Sequence, residues 1–171
     1  FAARAGEIVG LAGARGEAQR EFIRALAGVG IHDRGMISVA GKTQQGLHLA
    51  AVLRDAGVGF VPDDRHAEGL FLSLSVRENL AVGSLGQRLQ NGLIDQPAEL
   101  AMSDDMVQRL RVKTPSVEAL VSNLSGGNQQ KVIIGREMAA KPVVLLVDEP
   151  TKGVDVGARS EIYHRLRTLA D

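Results

Sequence analysis

The chain has 171 residues, 44% apolar and 23% charged, with 20 Lys and Arg against 20 Asp and Glu. That is the size of one globular domain, which buries roughly 70% of its unfolded surface and needs no staple. The lack of cysteine rules out a disulfide framework, a thiolate zinc site and a cysteine nucleophile, and zero net charge with only four Phe and one Tyr argues against nucleic acid as a partner.

From the amino end, Glu7 to Gly13 (EIVGLAG) reads as a short strand, followed by a polar loop and a helix with Phe22, Ile23 and Leu26 on one face. A second strand, Met36 to Ala40, ends at Gly41. A helical stretch from Leu47 to Asp55 leads through Gly57 into a third strand, Val58 to Val61. This alternation predicts an α/β fold. The middle differs. Ser75 with Glu78 three residues on spells a capping box for a helix through Leu80, Gly83 to Asp95 reads as a mobile loop, and a further helix runs from Pro97 to about Leu110. Asn123 to Gly127 is a turn into a helix with Val132, Ile133, Ile134 and Met138. Val143 to Val147 reads as a central strand buried on both faces, and Ala158 to Leu169 as an amphipathic helix. That strand is the longest purely aliphatic run, far short of the roughly 20 residues of a bilayer span, and no signal-peptide pattern is read. The expected organisation is one domain over 1–171, with an α/β core at 1–72 and 140–171 and a helical insertion at 73–139. The start at Phe1, and a close inside a helical pattern, lead us to expect a fragment cut at both ends.

Two places concentrate chemistry. A buried strand running straight into Asp148 and Glu149 puts charge at the carboxyl edge of a parallel sheet, where such sheets bind ligands. Acidic turns after buried strands are also common without function. In Leu124 to Lys131 (LSGGNQQK), two glycines permit close backbone approach to an anion, Ser125 adds a hydroxyl, and a helix amino end follows. The plainer alternative is a capped helix after a tight turn.

LSGGNQQK resembles the signature motif of ABC ATPases, and Ser125 stands 23 residues before Asp148, as in that family. Within it, VVLLVDEP resembles a Walker B strand. PTKGVDVGARSEIY after Glu149, VPDDRHAEGLFLSLSVRENLAV from Val61 and VKTPS at 112–116 resemble the second ATPase domain of tandem ATP-binding proteins that energise simple-sugar import of the ribose and galactose type. Similar tandems serve nucleoside import. The resemblance implies an α/β P-loop NTPase (RecA-like) core with an inserted helical subdomain, and ATP with Mg2+ as ligands. In it, Asp148 holds the metal, Glu149 polarises the attacking water as the catalytic residue, Leu124, Ser125, Gly126, Gly127, Asn128 and Gln129 form the signature, and Asp155 lies on the interface loop. Implied partners are a sister ATPase domain, membrane permease subunits and, indirectly, a sugar-binding protein, with the chain at the cytoplasmic face of a bacterial-type cell membrane.

The chain departs from the family at the phosphate loop, G-x-x-x-x-G-K-[ST]. Aligned on Gly13 it reads Gly13, Ala14, Arg15, Gly16, Glu17, Ala18, Gln19, Arg20: Gln19 replaces the lysine and Arg20 the magnesium hydroxyl. Loss of one charge-assisted hydrogen bond costs about 1.5 to 3 kcal/mol, so weak or absent nucleotide binding is expected here. Asp63 stands at the Q-loop position, where it either reaches metal or water or caps the turn. His32, His48, His66 and His164 are expected to be ordinary polar or surface residues. Two other classes compete: a non-hydrolysing regulatory or docking half, and a soluble ABC ATPase of translation or DNA repair. The latter is disfavoured by the missing lysine loop and basic surface.

Overall fold

The computed structural model describes residues 1–13, 17–30, 35–45, 50–90 and 92–170. The elements are helix α1 (Glu17–Leu26), strands β1 (Met36–Val39) and β2 (Lys42–Gln45), helix α2 (Ala50–Asp55), strand β3 (Val58–Val61) and helix α3 (Val76–Ala81). They continue with the short strands β4 (Leu89–Gln90) and β5 (Leu93–Ile94), helices α4 (Gln96–Leu110) and α5 (Gly126–Ala139), strand β6 (Val144–Val147) and helix α6 (Val156–Ala170). A π turn (Arg65–Gly69) follows β3, and a 3-10 stretch (Val82–Arg88) follows α3.

β3 and β6, far apart in sequence, pair in parallel with Val58 opposite Val144 and Val61 opposite Val147. Both therefore point their carboxyl ends the same way and deliver Asp63 and Asp148 to one edge. Gly57 ends the α2 connection at φ +95°, and a Cβ there would lie 2.8 Å from Val143 Cγ2, so glycine permits the close approach of the two strand starts. β1 and β2 form a separate antiparallel hairpin.

Helices α3, α4 and α5 pack on one another around Val76, Leu80, Met106, Leu110, Val132, Ile133 and Ile134, each at most 5% exposed. α3 starts as read: the Ser75 hydroxyl accepts from Glu78 N at 3.1 Å, while Ser75 N donates to the Glu78 carboxylate at 2.8 Å. Asn79, fully buried, accepts from Phe71 N and donates to Phe71 O and Ser75 O, which fixes the chain entering that helix.

Three expectations are corrected. Glu7 to Gly13 belongs to no strand, and Ile8, Val9 and Leu11 are exposed. A short apolar run becomes a strand only where a neighbour takes its backbone groups, and none does among the described residues. For the same reason β6, with β3 as its one described strand neighbour, is half-buried throughout rather than buried on both faces. Gly83 to Asp95 is not a featureless loop: it contains the 3-10 stretch and the β4–β5 hairpin, Leu89 opposite Ile94. Leu47 to Leu49 of the second helical stretch lie outside the described residues.

Candidate functional site

The edge where β3 and β6 end is built from charged side chains. Asp148, 4% exposed, directly follows β6 and its N–H donates to Val61 O at 2.9 Å. Asp63, 7% exposed, follows β3. Arg20, on the first turns of α1, ion-pairs with Asp63 Oδ1 and brings Nε to 3.6 Å from Asp148 Oδ2. Lys152 Nζ donates to Asp63 Oδ2 at 2.6 Å. Both oxygens of Asp63 are thus engaged by cations.

These contacts set the two acids apart. Burial pushes the Asp63 carboxyl up, but the Lys152 hydrogen bond and the charges of Arg20 and Lys152 outweigh it and leave it below the ordinary 3.8. Burial and then the neighbouring Asp63 charge push Asp148 above that value, against the pull of Arg20. Asp148 Oδ2 has no hydrogen bond. Asp63 also accepts from the backbone of Asp64, while Asp64 caps the following π turn, accepting from His66 N at 3.1 Å and Ala67 N at 3.0 Å.

Gln19 folds its amide over Gly13, leaving no room for a Cβ there, and its buried Oε1 lacks a partner. Ala18 is exposed. Ala14, Arg15 and Gly16 lie outside the described residues, as does the Glu17 side chain. Glu149 is exposed and adopts φ +45°, a left-handed conformation that costs a non-glycine residue about 1 to 3 kcal/mol. Asp155 is exposed just before α6.

The second place is the amino end of α5. Leu124 is buried beneath it and Gly127 is buried within it, while Ser125 is exposed at the N-cap. Ser125 makes no side-chain cap, and its Oγ instead accepts from Asn128 Nδ2 at 2.9 Å. Asn128 Oδ1 accepts from Lys113 N at 2.8 Å, so Asn128 ties the hydroxyl to the chain after α4. Gln129 lies deeper, pairing with His66 Nε2 at 3.0 Å and donating to Val121 O. The capped-helix reading therefore fails in its detail, since the hydroxyl is not spent on the helix amides.

Sequence reading missed what joins the two places. Arg65 Nη1 donates to Lys152 O at 2.8 Å and Nη2 to Gly153 O at 3.4 Å, and a Cβ at Gly126 would lie 3.0 Å from Nη2. His66, expected as an ordinary polar or surface residue, is exposed and pairs with Gln129. His164 is exposed as expected, and His32 and His48 lie outside the described residues. The signal available was the charged run DDRHAE directly after a strand.

An ABC transporter profile matches residues 1–152. The chain belongs to the ABC transporter family. It is 42% identical over 98% of its length to the ribose import ATP-binding protein RbsA of Corynebacterium glutamicum, covering 32% of that protein. It is 43% identical over its whole length to the RbsA of Bacillus subtilis, covering 34%. The chain thus spans about a third of these relatives. A dimeric bacterial ABC transporter cassette superposes with TM-score 0.81 at 20% identity, over 99% of this chain and 72% of that one. A related cassette in a post-hydrolysis state with ADP and phosphate gives 0.73 at 19% identity, over 90% of this chain and 65% of that one. The fold is that of the ABC cassette, a P-loop NTPase, as expected. Among the described residues no helix is long and apolar enough to cross a membrane.

The ABC family implies ATP and Mg2+, and the residues of this ABC chain can be tested against the metal. A hard cation takes oxygen ligands and usually keeps several waters. Here the hydroxyl position is a guanidinium, both oxygens of Asp63 are engaged by cations, and Asp148 Oδ2, which has no hydrogen bond, faces Arg20 Nε at 3.6 Å. Like unit charges about 4 Å apart repel by roughly 4 kcal/mol at an effective dielectric of about 20, less where solvent screens, and the Arg20 side chain is 43% exposed. The donor set does not fit a divalent ion, and no chemistry at this edge is derived through one.

Proposed function

We propose that this chain is the nucleotide-binding domain of an importer that couples ATP binding and hydrolysis to uptake of a simple sugar, ribose being the substrate its relatives' names point to. In this reading it is the second of two tandem ATPase halves, a RecA-like core at 1–72 and 140–171 with a helical subdomain at 73–139, working at the cytoplasmic face of the membrane. Two halves meet head to tail, and the signature of this half, Leu124 to Gln129, serves the phosphate loop of its sister.

The observation that supports it is an asymmetry. Ser125 is exposed and spends no side-chain bond on capping, Gly126 behind it is half-buried, and Asn128 and Gln129 brace this end of α5 from below, a geometry suited to donating to a phosphate. At the chain's own loop, Gln19 and Arg20 are drawn onto Gly13, Asp63 and Asp148 instead. Donors pre-aimed at the γ-phosphate stabilise charge that moves in phosphoryl transfer, which is where the signature acts. Glu149, exposed at the sheet edge, is the candidate base for residual hydrolysis at the chain's own site, and Asp155 the interface-loop contact. The groove lined by Arg54, Phe60, Pro62, Phe71, Gly83 and Arg136 lies between α2, β3 and the carboxyl end of α5 and is the proposed seat of a permease segment. The Asp63 ion pairs favour a second reading, in which this half is non-hydrolysing and completes its neighbour.

The test is made in the full-length protein with its permease. Ser125→Arg should abolish ATP hydrolysis and sugar uptake, because the side chain holds the two halves apart, whereas Gln19→Ala should leave both within about twofold. A transporter that tolerates Ser125→Arg but fails with Gln19→Ala would reverse the assignment of the working site.

A further inference from the structure

Four charges meet at the sheet edge. Asp63 and Asp148 contribute two negative charges from the ends of the paired strands β3 and β6, and Arg20 and Lys152 contribute two positive charges from α1 and the loop after β6. The acids are buried, at 7% and 4% exposure, and buried carboxylates are retained as ions only where cations and hydrogen bonds compensate them. The protein supplies two such cations: Arg20 lies between the two acids, and Lys152 donates to the second oxygen of Asp63 at 2.6 Å. Among the described residues no group of three or more His, Asp or Glu side chains is arranged to hold a metal ion.

We propose that the Arg20 guanidinium is a built-in cation that occupies the divalent-metal position between Asp63 and Asp148, so that this site recruits no divalent ion. An anion docking at the edge would then meet a fixed guanidinium and ammonium, and its binding would be indifferent to magnesium. Asp148 Oδ2, which has no hydrogen bond, fits the same arrangement: Arg20 Nε approaches it to 3.6 Å, an ion pair without a hydrogen bond. The guanidinium suits the position, since its planar fork presents several donors in a fixed geometry and can face two carboxylates at once. The inference concerns this edge alone and stands whether or not the chain serves sugar import.

The experiment counts Mn2+, used as a spectroscopic divalent probe, bound per full-length protein by electron paramagnetic resonance without nucleotide. Asp148→Asn in the parent protein should leave the count unchanged. Arg20→Ser, which replaces the guanidinium with a hydroxyl oxygen suited to a hard cation, should add one Mn2+ per chain, and Asp148→Asn in that background should remove it. Loss of one Mn2+ on Asp148→Asn in the parent protein would overturn the proposal, as would a folded Arg20→Ser protein that gains none. Circular dichroism checks folding; if Arg20→Ser is unfolded, Arg20→Gln replaces it with the same expected gain, and the parent comparison decides independently of either.

Discussion

Glu137 offers the sharpest test of how the signature helix is held to the strands. It lies near the end of α5 at 2% exposure, and its carboxylate accepts from Arg54 Nη1 on α2 at 3.2 Å, from Phe60 N on β3 at 3.4 Å and from the neighbouring Arg136 Nε at 3.1 Å. Glu137→Ala removes the one group that three donors share. Deleting one member of a buried ion pair costs about 3 to 5 kcal/mol, and the lower end applies because the Arg54 side chain is 41% exposed and can return to water. At about 2 to 4 °C per kcal/mol for a domain of this size, a loss of about 3 kcal/mol lowers the melting midpoint by about 6 to 12 °C. Glu137→Gln keeps shape and one acceptor and should lose roughly half as much. Urea unfolding followed by far-ultraviolet circular dichroism, with Arg54→Ala and the double variant to complete a cycle, measures both the cost and the coupling. A Glu137→Ala protein with the stability of its parent would refute the claim that this carboxylate joins α5 to the strands.

Two further outcomes follow from local geometry. Glu78 is held below its ordinary 4.5 by hydrogen bonds from the Ser75 hydroxyl and backbone. A depressed folded pKa adds stability that is complete above the unfolded value and lost as pH falls through the folded one, so denaturation midpoints should decline below about pH 4.5. Ser75→Ala should flatten part of that decline and cost about 1 kcal/mol at neutral pH, and an unchanged acid slope would contradict the cap assignment. Gly57→Ala combines φ +95° with a Cβ 2.8 Å from Val143 Cγ2 and should cost at least about 1 kcal/mol in thermal unfolding. Gly86→Ala, where a Cβ meets nothing within 4 Å, should stay within about 0.5 kcal/mol.

What could be read along the chain was what depends on neighbours in sequence. The Ser75 box, α4 from Gln96 and α5 after Ser125 were legible because caps and helical periodicity act over a few residues. Glu7 to Gly13 was misread because a strand is defined by a partner elsewhere in the chain, and the β4–β5 hairpin was hidden by the glycine-rich composition around it. At the site, the loss of lysine and hydroxyl at Gln19 and Arg20 was plain from spacing. The destination of the Arg20 guanidinium was not, since its partner Asp63 lies 43 residues away and the Lys152 that completes the set lies 89 beyond that. Lys152 stands in the quoted PTKGVDVG stretch, but nothing local marks Asp63 as its partner, and the partners of Arg65 and His66 are backbone carbonyls and a glutamine far along the chain.

The contact between Arg65 and the loop after β6 has an evolutionary consequence. Arg65 grips the carbonyl oxygens of Lys152 and Gly153, which every residue type possesses, so the loop's position is indifferent to which side chain stands at 152. The ammonium that neutralises Asp63 can therefore be exchanged, by drift or by selection, without letting go of the backbone beside the signature helix. Placement and charge are separately heritable at this point in the fold, and a lineage can retune the electrostatics of one site while its architecture stays put.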